Sequence, residues 1–221
     1  MQVVVLSSGG LDSSLTMFLL KGQEIEVYPL HINYGQLAEA KEWTSSKRVC
    51  RALGIRPPER IDLSGLRMFP SGLVNSKLDI HDDAFLPTRN LIFLVVGAGY
   101  AYSKGLDAVV IGLVANPIFP DQTPVFVARA EDAISEALGR RVKILAPLIQ
   151  LDKREVILLA EKHGLDVSLT YYCHRGSDRP CGVCISCKER IAAERSIERG
   201  QVGNEAKQSR GRASTVLGDP R

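Results

Sequence analysis

The chain has 221 residues with an apolar fraction of 45%, which fits one compact domain with an attachment and excludes a fibrous or low-complexity protein. Its formal charge of +3 arises wholly from Arg199 onward, where Arg199, Lys207, Arg210, Arg212 and Arg221 outnumber Glu205 and Asp219, so residues 1–198 sum to zero. A neutral body argues against a broad phosphate-tracking surface for nucleic acid and favours a small-molecule substrate, while 199–221, rich in Gly, Ser, Arg and Gln, is expected to be a flexible tail.

In chain order, the apolar strand Val3-Val4-Val5-Leu6 runs into Ser7-Ser8-Gly9-Gly10-Leu11-Asp12-Ser13-Ser14 and then a helical pattern. Glycines let a backbone bend and approach an anion closely, and the unpaired amides of a helix's first turn face it with the positive end of the macrodipole. Ser8, Ser13 and Ser14 add hydroxyl donors, with Ser7 flanking. The segment has neither the lysine of a Walker loop nor the spacing of a dinucleotide turn. It resembles the Ser-Gly-Gly-x-Asp-Ser loop of the ATP-pyrophosphatase (PP-loop) enzymes, which implies splitting of ATP between the α and β phosphates with pyrophosphate held on this loop; an ordinary β-to-α turn is the plain alternative. The apolar run is strand-length and carries the loop, so it is not a cleavable signal, and a cytoplasmic location is expected.

Further strand-like runs at 25–32, 108–113 and 142–145 alternate with helical stretches near 12–21, 36–54, 88–104, 127–139 and 152–163. That alternation predicts an α/β fold with a doubly wound parallel sheet, and a site built from the loops 7–14, 31–36 and 112–124 at the strands' carboxyl ends. In the second helix Ala40, Trp43, Cys50 and Leu53 recur at helical spacing, which makes Cys50 a packing residue rather than a reactive thiol. The segment from Pro70 to Asn90 is long for a loop and has the profile of an active-site flap. Its Asp82 and Asp83 either help to hold Mg²⁺ or form a solvated acidic turn. The run Leu91 to Tyr102 is about half of the roughly 20 residues that span a bilayer, and reads as a buried helix with no membrane role.

Four of the five cysteines fall between Cys173 and Cys187, with Cys181, Cys184 and Cys187 in two overlapping Cys-x-x-Cys turns. Four thiolates at such spacing suit a closed tetrahedral Zn²⁺ site. An iron-sulfur cluster, disulfides, and His174 replacing Cys173 as a ligand stay open as alternatives.

Taken together, these segments resemble the QueC family, the 7-cyano-7-deazaguanine (preQ0) synthases, over most of residues 2–198. Besides the loop, Ile32-Asn33-Tyr34-Gly35-Gln36 resembles the family's Asp-Tyr-Gly-Gln, and Phe85-Leu86-Pro87-Thr88-Arg89-Asn90 resembles its Val-Pro-Gly-Arg-Asn. Pro147-Leu148 with Lys153 and Glu155, then Cys173 and the run Pro180 to Arg190, resemble its zinc region in order and spacing. The resemblance implies an adenine nucleotide alpha hydrolase-like PP-loop domain over 1–165 and a small zinc-binding helical appendage over 166–198. It further implies an ATP-dependent carbon-nitrogen ligase that converts 7-carboxy-7-deazaguanine and ammonia to the nitrile through adenylated intermediates, releasing AMP and pyrophosphate.

Residue by residue, the resemblance gives Asp12, Ser13, Arg89 and Lys153 catalytic roles. Ser7, Ser8, Gly9, Gly10, Leu11, Asp12, Ser13 and Ser14 go to ATP together with Asn33, Tyr34, Gly35 and Gln36. Arg89, Asn90, Gly112, Asn116 and Asp121 go to the substrate, Asp12 to Mg²⁺, and Cys173, Cys181, Cys184 and Cys187 to structural Zn²⁺. One departure is the loop Gly112 to Thr123, shorter than the family's and missing an acid, with Gln122 and Thr123 in place of Cys and Arg. The loss admits a QueC-like paralogue that couples the carboxylate to another amine, on a protein or peptide. A tRNA thiolase is a lesser alternative, poorly matched by a neutral body and by a single cysteine, Cys50, left over once zinc takes four. A homodimer is compatible with the sequence.

Overall fold

The computed structural model describes residues 1–199; the expected tail beyond that point, 200–221, lies outside the described residues. Five strands form one parallel sheet: β1 (Gln2–Leu6), β2 (Glu26–Asn33), β3 (Glu59–Asp62), β4 (Ala108–Val110) and β5 (Lys143–Leu145), in the order β3-β2-β1-β4-β5. The central strand is a continuous apolar run because both of its faces are covered, and Val3, Val4 and Val5 are wholly buried.

Side-chain alternation along β1 divides the interior into two layers. Val3 and Val5 pack with α1 (Leu11–Gly22), α2 (Glu39–Leu53), α5 (Lys153–Lys162) and Ala193 of α6 (Ile185–Glu198). Val4 and Leu6 pack on the other side with α3 (Arg89–Lys104) and α4 (Pro124–Leu138). The sheet is therefore doubly wound, as the alternation of patterns predicts. Cys50 lies in the first layer, and burial pushes its thiol up to about 11, as befits a packing residue.

Differences from the sequence reading have local causes. Strand β3 escapes the hydrophobic pattern because Glu59-Arg60-Ile61-Asp62 is a polar edge with no buried residue. Helix α4 starts at Pro124, before the expected 127, because proline suits the first helical position and the Thr123 hydroxyl accepts from the Phe126 amide at 3.1 Å. Helix α5 starts at a capping box, in which Asp152 and Glu155 each bond the other's amide at 2.8 Å. Among the described residues no helix is long and apolar enough to cross a membrane.

Strand order brings the loops after β1, β2 and β4 together at one end of the sheet. There the loop after β1 is braced from behind. Gly9 has φ +76°, and a Cβ on it would lie 2.4 Å from the Glu42 carbonyl oxygen and 2.8 Å from the Ser46 amide. Its own carbonyl accepts from the Ser45 hydroxyl at 2.7 Å and from the Tyr171 amide at 2.9 Å, while Ser7 Oγ and Ser46 Oγ are 2.6 Å apart. Gly9 thus serves the close seating of the loop on α2. Gly9→Ala is expected to lower stability by about 2–4 kcal/mol through left-handed strain and overlap together, read by denaturant unfolding; a change within about 0.5 kcal/mol would contradict this packing.

Candidate active site

The cavity above the sheet holds about 280 Å³. Its floor is the loop after β1 and the start of α1, where Ser7, Ser8, Gly10, Leu11, Asp12 and Ser13 line it. Gly10 is the N-cap of α1 and has no side chain to bond the first amides of this twelve-residue helix, which leaves them open toward the cavity that Gly10, Leu11, Asp12 and Ser13 line. The hydroxyls of Ser8 and Ser13 are 3.2 Å apart, and Ser13 also donates to the Gly10 carbonyl at 3.1 Å. Gly112 presses onto this helix start, since a Cβ there would lie 3.0 Å from the Ser13 amide.

Cations stand on the other walls. Lys153, the first residue of α5, reaches Asp12 with Nζ 2.6 and 2.8 Å from the two carboxylate oxygens. Arg89, the first residue of α3, lines the cavity near Tyr34 and the half-buried Glu42. Burial pushes the Tyr34 hydroxyl up to about 12, with Glu42 adding to the rise and Arg89 opposing it. Burial likewise pushes Glu42 up to about 7, against a hydrogen bond from Gln36 Nε2 at 2.8 Å and the Arg89 charge.

Several residues expected to touch ligand instead shape the walls. Gly9 and Ser14 are not on the cavity surface; Ser14 bonds back to the Gly10 carbonyl at 2.8 Å. Of the segment after β2 only Tyr34 lines the cavity. Asn33 holds the turn, donating to Asp62 at 2.6 Å and accepting from the Gly35 amide at 3.0 Å, and Gln36 fixes both the Tyr34 amide and Glu42. Gly35, at φ +82°, leaves room for the Ser64 carbonyl. Asn90, Gly112 and Asn116 do line the cavity, whereas Asp121 sits behind Asn90, taking its amide on Oδ2 and its side-chain nitrogen on the backbone carbonyl, each at 3.1 Å. Asp82 and Asp83 belong to an exposed acidic turn in which Asp79 and Asp83 accept backbone amides, away from the cavity.

The Sγ atoms of Cys173, Cys181, Cys184 and Cys187 all lie within 4.8 Å of one another, and no disulfide joins them. A tetrahedral Zn²⁺ with bonds of roughly 2.3 Å requires thiolates about 3.8 Å apart; Cys181 and Cys187 are at 3.9 Å. Backbone amides of Cys181 and Cys184 point at Cys173 and Cys181 sulfurs, each at 3.4 Å, a pattern that favours thiolates. The donor set fits a single metal ion better than a cubane, whose four thiolates bind four separate irons. His174 is not part of this group.

What the sequence reading missed is that the cysteine segment is also a wall of the cavity. Tyr171, Tyr172, His174, Ser186, Glu189 and Arg190 all line it. The signal was present, since polar residues recur at 186, 189 and 190 on one helical face, but the cysteines drew the whole segment into a metal-binding reading.

Comparison with known proteins agrees with this architecture. A family model described as "Queuosine biosynthesis protein QueC" matches residues 2–198. The chain is 36% identical over 205 residues to a 7-cyano-7-deazaguanine synthase of Acetivibrio thermocellus, covering 86% of this chain and 91% of that one. It is 30% identical over 203 residues to the synthase of that name from Nautilia profundicola, with the same coverage. Among solved structures, NMN synthetase from Francisella tularensis superimposes with a TM-score of 0.50 at 12% identity, over 99% of this chain and 89% of that one, a likeness of fold alone.

The displaced ionisation of Glu42 makes a prediction. Below its ordinary value near 4.5 the group is protonated in both folded and unfolded chains; between there and about 7 the unfolded chain sheds its proton while the folded one keeps it. Folding stability therefore falls as pH rises through that window, and the loss is complete above it. Glu42→Gln should gain about 2–3 kcal/mol on wild type between pH 5 and pH 8 in denaturant titrations. A difference independent of pH would mean an ordinary carboxylate. Separately, Cys184→Ser is expected to drop bound metal from about one per chain to near zero by atomic emission, with a lower Tm.

Proposed function

Because this chain belongs to the QueC family of queuosine biosynthesis proteins, we propose that it is an ATP-dependent 7-cyano-7-deazaguanine synthase, forming the nitrile from 7-carboxy-7-deazaguanine and ammonia with release of AMP and pyrophosphate. One observation carries the reading: the open start of α1, Lys153 and Arg89 meet in a single cavity beside a loop that resembles the phosphate loop of PP-loop enzymes. The donor set suits a triphosphate, and the volume of about 280 Å³ suits small molecules rather than a nucleic acid.

A carboxylate is a poor electrophile, so its oxygen first attacks the α-phosphorus of ATP, and pyrophosphate leaves onto the loop. The amides after Gly10, with the hydroxyls of Ser8 and Ser13 beside them, would stabilise the charge that gathers on that leaving group. Lys153 supplies a point charge for a phosphate, and Arg89 a planar fork for phosphate or substrate carboxylate. Ammonia displaces AMP to give an amide, and a second adenylation, on the amide oxygen, permits elimination to the nitrile. Mg²⁺, for which Asp12 offers an oxygen donor, would supply neutralisation of phosphate charge. Asn90, Gly112 and Asn116 take the substrate, Asp121 acts through Asn90, and Asn33, Gly35 and Gln36 act through the turn that presents Tyr34. We assign Zn²⁺ to the four thiolates as a closed structural site, and treat 1–165 as the ATP domain with 166–198 closing it. Such an enzyme works in the cytoplasm.

The test is mass spectrometry of products from purified protein with ATP, Mg²⁺, ammonium and 7-carboxy-7-deazaguanine. Nitrile with AMP and pyrophosphate is expected; adenylate or amide alone would move the reading to a paralogue that uses another amine. Asp12→Ala should reduce pyrophosphate release by about 100-fold or more with an unchanged circular dichroism spectrum, and activity within about twofold of wild type would remove Asp12 from the chemistry.

A further inference from the structure

Two residues of the cavity wall carry polar atoms with no partner among the described residues, and both come from the four-cysteine segment. One is His174, whose Nδ1 is sealed from solvent and has no hydrogen-bond partner. The other is Glu189. It shares one face of α6 with Ser186 and Arg190 on the cavity wall, and its carboxylate forms no hydrogen bond or ion pair with any described residue. The other cavity carboxylates differ: Asp12 is held by Lys153, and Glu42 by Gln36.

Position narrows what Glu189 can bind. It feels the charges of both Lys153 and Asp12, which puts it beside the phosphate loop. A carboxylate facing bound phosphates is repelled by them unless a cation stands between. A second magnesium ion fits poorly, because that ion seeks several oxygens in an octahedron, whereas the carboxylates here are Glu189 and Asp12, and both oxygens of Asp12 lie on Lys153 Nζ at 2.6 and 2.8 Å. A small monovalent ion bearing N–H donors fits the open carboxylate of Glu189.

We propose that Glu189 captures the ammonium ion that supplies the product's nitrogen. This rests on the synthase reading above. Ammonium gives one proton to solvent, and the freed nitrogen lone pair attacks the carbonyl carbon of the adenylated carboxylate. The bond from that carbon to the AMP oxygen then breaks with its electron pair going to AMP, and a second proton leaves the nitrogen to give the amide.

The experiment compares metal-loaded wild type with Glu189→Gln, which keeps size and loses charge. Three quantities are read: exchange of pyrophosphate into ATP dependent on 7-carboxy-7-deazaguanine without ammonium, KM for ammonium, and KM for the carboxylate. The proposal expects KM for ammonium to rise about tenfold or more, with exchange, carboxylate KM and zinc content within about twofold of wild type. An unchanged ammonium KM overturns it. So does a matching fall in exchange, which would mean a role at the phosphates or in the fold, or a rise in carboxylate KM alone, which would make Glu189 a reader of the nucleobase. If wild type itself shows no exchange dependent on this carboxylate, the synthase reading fails and takes the proposal with it, an outcome separate from any difference between the two proteins.

Discussion

Everything in the site depends on how the loop after β1 is held against α2. Gly9 has no room for a side chain because the Glu42 carbonyl and the Ser46 amide occupy that space, and its carbonyl is taken by Ser45 and Tyr171. The Ser45 hydroxyl lies within bonding distance of the carbonyls of both Gly9 and Leu169 and shares its one hydrogen between them, so it ties the loop to the C-terminal segment. A loop that must present bare amides to a highly charged ligand cannot be allowed to collapse onto itself, and fixing it from behind leaves its front free.

Charge in the cavity is balanced in a similar way. Asp12 with Lys153, and Glu42 with Gln36 under the influence of Arg89, leave the floor neither strongly positive nor strongly negative before a ligand arrives. The same cations, after burial itself, hold His174 down to about 4, so a neutral imidazole faces the cavity. The four-cysteine segment is thus more than a knot at the end of the domain. It carries the wall on which His174, Glu189 and Arg190 sit.

Much of this was legible in the sequence, for physical reasons. A buried parallel strand must be a continuous apolar run, so Val3 to Leu6 announced itself, and the glycine turn with its hydroxyl-rich helix start carried the donors that an anion needs. The edge strand β3 was not legible because a polar edge has no hydrophobic period. The backbone-bracing bonds of Asp121 and Asn33 were hidden for a similar reason, since an acid or amide that bonds a neighbouring backbone looks the same in one dimension as one that bonds a ligand. Glu42 carried no signal at all, because nothing in the helical pattern of α2 distinguishes a solvated glutamate from one turned into a cavity.

Consider, finally, the order in which the chain is made. The contacts that complete the site join the first quarter of the chain to its last third: Asp12 to Lys153 across 141 positions, and Ser45 to Leu169 across 124. Such long-range closures are slow to form, because the entropy of loop closure is lost before the contact rewards it. On the ribosome, the sheet's first strands and α1 emerge long before Tyr171 can bond Gly9. A nascent chain can therefore own the whole phosphate loop and still lack a working site until its cysteines have left the exit tunnel.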